Sequence, residues 1–138
     1  MVKLNHIGDT LLMTPTTRFL RRQFPDAAID VVVRKGCEAI LEGNPDISKV
    51  FAVGHLDRKQ RSRITAMREA FGILRRFTLR RYDYAFDLSN SDRGKTIILL
   101  SAARIRAVND RVFELGWKRK LFNRISHFDL TKYPLVLK

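Results

Sequence analysis

The chain has 138 residues, enough for one domain with a buried core. Its 27 Lys and Arg against 14 Asp and Glu give a net charge of +13, which points to a polyanionic partner: nucleic acid, an anionic membrane face or a phosphorylated sugar. The single cysteine, Cys37, excludes an internal disulfide and fits a reducing compartment. The opening MVKLNHIGD has no apolar signal region, and the longest aliphatic run, Ile97 to Leu100, is too short to span a bilayer. The expectation is a cytoplasmic protein, resting on a membrane surface where charge draws it.

Val2-Lys3-Leu4 predicts a short first strand, turned by His6-Ile7-Gly8. Asp9 is placed to cap a helix running toward Phe24, with Leu12, Phe19 and Leu20 on its buried side. Pro15 is tolerable if the helix restarts there, with Thr14 as N-cap and Pro15 at the first helical position. Ile29 to Val33, an unbroken β-branched run apart from Asp30, reads as a buried strand. Gly36 to Glu42 predicts a short helix closed by Gly43-Asn44-Pro45, and Lys49 to Val53 another strand. A basic loop or helix start follows from Gly54 to Arg63. Ile64, Met67, Phe71, Leu74 and Phe77 then recur at helical spacing. Tyr84 to Leu88 predicts a strand, Ser89 to Asp92 a turn, Arg93 to Ala103 a helix and Ile105 to Val108 a strand. Trp117, Leu121, Phe122 and Ile125 suggest one more amphipathic helix.

Alternating strands and helices define an α/β domain: a Rossmann-like parallel sheet with helices on both faces. Ligands bind such sheets at the carboxyl ends of the strands. Chemistry is therefore sought in the loops after Leu4, Val53 and Leu88.

The stretch SNSDRGKT resembles the end of a phosphate-binding P-loop, but Ser89 stands where the first glycine must be. Its helix start, with Arg93 and Lys95, could still hold an anion. No dinucleotide fingerprint, no metal-spaced Cys/His set and no DxD pair is present; His6, His55 and His127 are isolated. Asp9 is either an N-cap or a general base. Basic residues cluster as Arg58, Lys59, Arg61 and Arg63, as Arg75, Arg76, Arg80 and Arg81, and as Arg104, Arg106 and Arg111. The first cluster leaves the carboxyl end of a strand and is the one best placed for binding.

The ordered set IGDTLLMTPTTRFLRRQFPDAAIDVVVRKGCEAILEGNPDISKVF and YDYAFDLSNSDRGKTIILLSAARIRAVN resembles the ADP-heptose:lipopolysaccharide heptosyltransferases, glycosyltransferase family 9. Together the matches cover roughly residues 2 to 109. The HIGDTLLMTP and DRG forms look most like the type that adds the third, branching heptose of the inner core. The resemblance implies the N-terminal, acceptor-side domain of a two-domain GT-B glycosyltransferase, here residues 1–138. It implies that the domain is incomplete and that the nucleotide-sugar domain is absent from this chain. It also implies an inverting transfer with Asp9 as catalytic base and no metal. The acceptor would be an anionic lipopolysaccharide core, held by Gly8, Arg58, Lys59, Arg61, Arg63, Arg93 and Lys95. The donor would be ADP-heptose, held by the missing domain. Location would be peripheral at the inner face of the bacterial inner membrane, with no nucleic acid partner. Two other readings stay open on the residues: a basic nucleic-acid-binding domain, and a non-catalytic remnant or interaction module of the transferase fold.

Overall fold

The computed structural model describes residues 1–54, 71–72, 75, 80–109 and 116–126. Its strands are β1 (Val2–Lys3), β2 (Asp30–Arg34), β3 (Lys49–Val53), β4 (Tyr84–Asp87), β5 (Ile105–Asn109) and β6 (Arg124–Ser126). They form one sheet in the order β3-β2-β1-β4-β5-β6, and every pairing is parallel. This is the Rossmann order, with its topological switch point between β1 and β4. The expected fold class stands.

Parallel strands bury both faces, so alternate residues feed two cores. Val31 and Val33 of β2 pack with Met13, Cys37 and Leu41 on one side. Val32 turns the other way and joins Val2, Val53, Ala85, Ile97, Ile98 and Val108. Each fully buried Val or Ile of this kind contributes about 1.5–3 kcal/mol. Helices α1 (Ile7–Leu11) and α2 (Thr14–Gln23) follow β1, and α3 (Asp92–Leu100) follows β4. A 3-10 turn at Glu38–Leu41 takes the place of the short helix expected over Gly36 to Glu42; Gly43, at φ +74°, ends it.

Several local expectations are corrected. Asp9 is not an N-cap: His6 occupies that position, and Asp9 lies within the first turn of α1. Met13, not Thr14, is the N-cap of α2, which moves Pro15 to the second helical position; the Thr14 hydroxyl donates instead to the Leu11 carbonyl. Leu12 and Phe19 do not face the core, being 74% and 60% exposed. The inward residues are Thr10, Met13 and Thr17, spaced three and four apart. The two threonines can be buried because their hydroxyls donate back to the His6 and Thr14 carbonyls, so neither hydroxyl is left unpaired. Near the end, the amphipathic helix expected through Ile125 is a 3-10 turn at Gly116–Leu121 followed by β6. There Asn123 breaks the turn: its side-chain oxygen accepts from the Arg106 amide and its own amide donates to the Arg106 carbonyl, which steers the chain onto the edge of β5.

The amino edge of the sheet carries its own polar cluster. Asp30 is buried at the start of β2, and one of its oxygens accepts from Arg80 and from the Tyr82 hydroxyl, each at 2.6 Å. Burial and this bond to Asp30 push the Tyr82 phenol up. Beside the cluster is a mainly apolar cavity of about 560 Å³, lined in part by Leu20, Phe24, Ile29, Tyr84 and Phe86. It opens at the strand starts, the opposite edge from Asp9.

Candidate active site at the sheet switch point

At the carboxyl edge, β1 and β4 send their following loops to opposite faces of the sheet, which leaves a crevice between them. The sequence places a cation and a carboxylate on each face. Lys3, the last residue of β1, is in register with Val33 and so leaves the strand on the α1 side. Its ammonium donates to the Leu88 carbonyl at 2.9 Å and lies 3.5 Å from Oδ1 of Asp9. Lys3 is 17% exposed and Asp9 38%, so this carboxylate is sheltered by its partner and still open to the crevice. Gly8 is exposed, and a side chain added there would meet nothing within 4 Å, so a ligand can approach the α1 backbone closely at that point.

On the other face, Asp87 ends β4 and is buried. Its Oδ1 accepts from the Ser89 amide at 2.9 Å and the Ser89 hydroxyl at 2.5 Å, while Oδ2 is buried without a hydrogen bond. Asn90, at φ +50°, turns the chain toward α3. Ser91 caps that helix, its hydroxyl accepting from the Gly94 amide. Gly94 packs directly on the Ser89 hydroxyl and the Asp87 carboxylate, leaving no room for a side chain. Lys95, expected to reach for an anion, is only 7% exposed, and its charge bears on Asp87. Arg93, also in the first turn of α3, is half-buried.

Burial pushes the Asp87 carboxyl up from 3.8, against the Ser89 hydrogen bonds and the charges of Lys95 and Lys3, which pull it down. The folded protein thus holds this proton more tightly than the unfolded chain does. Its contribution to stability is present at low pH and is lost as pH rises from about 4 through the raised value. Asp87→Asn, which keeps the acceptor for Ser89, should remove that loss. The stability difference between variant and parent should grow with pH above about 4, measured as urea midpoints across the acid-to-neutral range. A difference independent of pH would show that folding leaves the proton affinity of Asp87 unchanged.

The structure places Gly8 and Asp9 in α1, after β1, and Arg93 and Lys95 in the first turn of α3, after β4, so the two pairs follow neighbouring strands on opposite faces of the sheet. Arg58, Lys59, Arg61 and Arg63 lie outside the described residues, as do most of the loop after Gly54 and of the helix expected to follow it. Lys3 and Asp87 were not singled out from the sequence. Each had a signal: a charged residue at the last position of an apolar strand that enters the switch point. Among the described residues no helix is long and apolar enough to cross a membrane.

No protein family model matches the chain. Solved structures do. The chain superposes on the glycosyl transferase family 9 protein of Veillonella parvula DSM 2008 with a TM-score of 0.75 and 20% identity, over 93% of this chain and 34% of that one. It superposes on the Escherichia coli ADP-heptose LPS heptosyltransferase II with a TM-score of 0.67 and 23% identity, over 94% of this chain and 34% of that one. The fold is that of the Rossmann-like sheet in glycosyltransferase family 9 structures. In sequence, the chain is similar to lipopolysaccharide heptosyltransferase 3 of Escherichia coli, 28% identical over 103 residues. The protein of that name from strain K12 is 22% identical over the same length. These matches cover 75% of this chain and 29% of each relative, so the chain corresponds to less than a third of the curated proteins it resembles. The resemblance to the heptosyltransferases is thus carried by sequence and fold alike.

Proposed function

We propose that this chain is the acceptor-side part of an inverting heptosyltransferase of lipopolysaccharide core synthesis. The observation that carries the reading is Asp9, a half-open carboxylate paired with Lys3 at the switch-point crevice, where a parallel α/β sheet binds its ligands. The printed names of the similar proteins supply the substrate class: lipopolysaccharide as acceptor and, for one solved neighbour, ADP-heptose as donor. Both curated relatives are of the heptosyltransferase 3 kind, which favours the branching heptose as the sugar added.

In this reading the attacking hydroxyl of the core gives its proton to Asp9 as its oxygen bonds to the anomeric carbon of the heptose. The bond from that carbon to the ADP oxygen breaks on the opposite side, so configuration inverts and one carboxylate suffices. Gly8 allows the sugar to come close to α1. Arg93 and the basic residues of the loop after Val53 meet the acceptor's phosphates and carboxylates, while Lys95 balances Asp87. The donor is held by a domain outside the 138 residues, whose donors and cations stabilise the departing ADP without a metal. The +13 charge draws the protein to the anionic cytoplasmic face of the membrane.

The test is a calorimetric titration of the chain with phosphorylated inner-core oligosaccharide, with ADP-heptose and with random-sequence DNA. Saturable binding of the oligosaccharide with none of ADP-heptose is the expected result. Tight, salt-dependent binding of DNA with no response to the oligosaccharide would replace this reading with a nucleic-acid-binding one.

A further inference from the structure

Resting on the transferase reading, we infer that Lys3 is a positioning residue, which acts through Asp9 by holding its carboxylate toward the crevice. A lysine is a flexible, strongly hydrated cation that normally keeps its head in water. Here the side chain lies along the end of the sheet, 17% exposed, with both ends of its reach fixed. One is the Leu88 carbonyl on the neighbouring strand, at 2.9 Å; the other is Oδ1 of Asp9, at 3.5 Å. The backbone at this point is itself tied across the switch point, since the Leu88 amide donates to the Val2 carbonyl. The ammonium is therefore anchored to the rigid part of the sheet.

Asp9 has less support of its own. It sits in a helix of five residues whose N-cap, His6, makes no side-chain capping bond. Among the described residues, Lys3 is the group its carboxylate meets. An acceptor hydroxyl must find the carboxylate within hydrogen-bond reach and correctly turned. Without an anchor, a side chain 38% exposed would exchange among rotamers, most of them aimed into solvent. Lys3 thus converts the β1–β4 junction into a fixed bearing for the base. It does not touch the reacting atoms.

The experiment compares Lys3→Met, Lys3→Gln and Lys3→Arg by two measurements. The first is the Asp9 χ1 coupling constants by NMR in the chain itself. The second is steady-state transfer in a polypeptide that joins this chain to a donor-binding domain. The parent should show one Asp9 rotamer, and Lys3→Met and Lys3→Gln an average of several. In both variants kcat should fall by about ten- to a hundredfold, the scale of a misplaced reacting group, with the KM for ADP-heptose essentially unchanged. Lys3→Arg should restore the single rotamer and most of the rate. A merely structural stitch between β1 and β4 would not give this pattern, because Lys3→Gln keeps a donor for the Leu88 carbonyl; this variant also decides the matter if Lys3→Met fails to fold. Parental kcat in Lys3→Gln, or a slow variant whose Asp9 rotamer is unchanged, overturns the inference. If the parent itself transfers no heptose, the functional reading fails, and the coupling constants still show whether Lys3 holds Asp9.

Discussion

On the proposed transferase reading, Asp9→Asn should slow heptose transfer by about a hundred- to ten-thousand-fold while leaving the fold unchanged, a cost of roughly 3–5 kcal/mol at the transition state. The amide has the shape of the carboxylate and keeps an oxygen facing Lys3, so the α1 turn loses no packing. It cannot take the proton of the attacking hydroxyl. The hydroxyl must then attack while still protonated or pass its proton to water, and the barrier rises accordingly. Because Asp9 is 38% exposed and lies in no core cluster, the substitution should leave thermal unfolding within about 0.5 kcal/mol of the parent. ADP release and product mass together read the effect, in a polypeptide that joins this chain to a donor-binding domain. Turnover near the parental rate would move the base to another residue.

Gly94→Ala should be the most damaging single-methyl change at the site. In an exposed helix, Ala in place of Gly is worth about 1 kcal/mol in favour of the variant. Here the sign reverses. The added methyl would overlap the Ser89 hydroxyl and the Asp87 carboxylate, and neither can swing away cheaply. They are hydrogen-bonded to one another, both are buried, and the Ser89 hydroxyl also meets that of Ser91, the α3 cap, at 3.1 Å. Relief requires α3 to lift from β4 or Asp87 to give up its bonds. Overpacking of this kind costs about 1–3 kcal/mol, and a displaced buried carboxylate adds to it. A loss of about 3 kcal/mol or more is expected, seen as a fall in the urea midpoint at constant m-value. Unchanged stability would mean that the loop between β4 and α3 is softer than its hydrogen bonds imply.

The sequence made the frame of this fold legible because the frame depends on periodicity. Lys49–Val53 was expected residue for residue, and β2, β4 and β5 to within a residue or two at their ends, since buried parallel strands are apolar runs between turn residues. Side-chain direction was less legible. Phe19 and Leu12 looked like core and are exposed, whereas Thr10 and Thr17, with no apolar signature, are fully buried. A hydroxyl that bonds back to its own helix loses its polarity for packing, and composition does not reveal that bond. At the site, Asp9 could be placed because it follows a Gly turn after the first strand. Lys3 and Asp87 could not, because a charge at the end of a strand acquires meaning only when its neighbour is known. Val2 is in register with Asp87 across 85 positions of sequence, a pairing that no local pattern encodes.

The exposed apolar side chains of α1 and of its C-cap, Leu12, govern how the protein behaves in solution. Ile7, Leu11 and Leu12 are 58%, 56% and 74% exposed, next to Asp9. Such side chains favour contact between molecules, whereas a charge of +13 on every copy opposes it. The two forces differ in range. Repulsion acts over a screening length of about 10 Å at 0.1 M salt and about 3 Å at 1 M, while apolar attraction is barely weakened by salt and is strengthened by sulfate. Colloidal stability therefore rests on dilute buffer, and concentrated salt turns the face beside Asp9 from a tolerated exposure into an adhesive one.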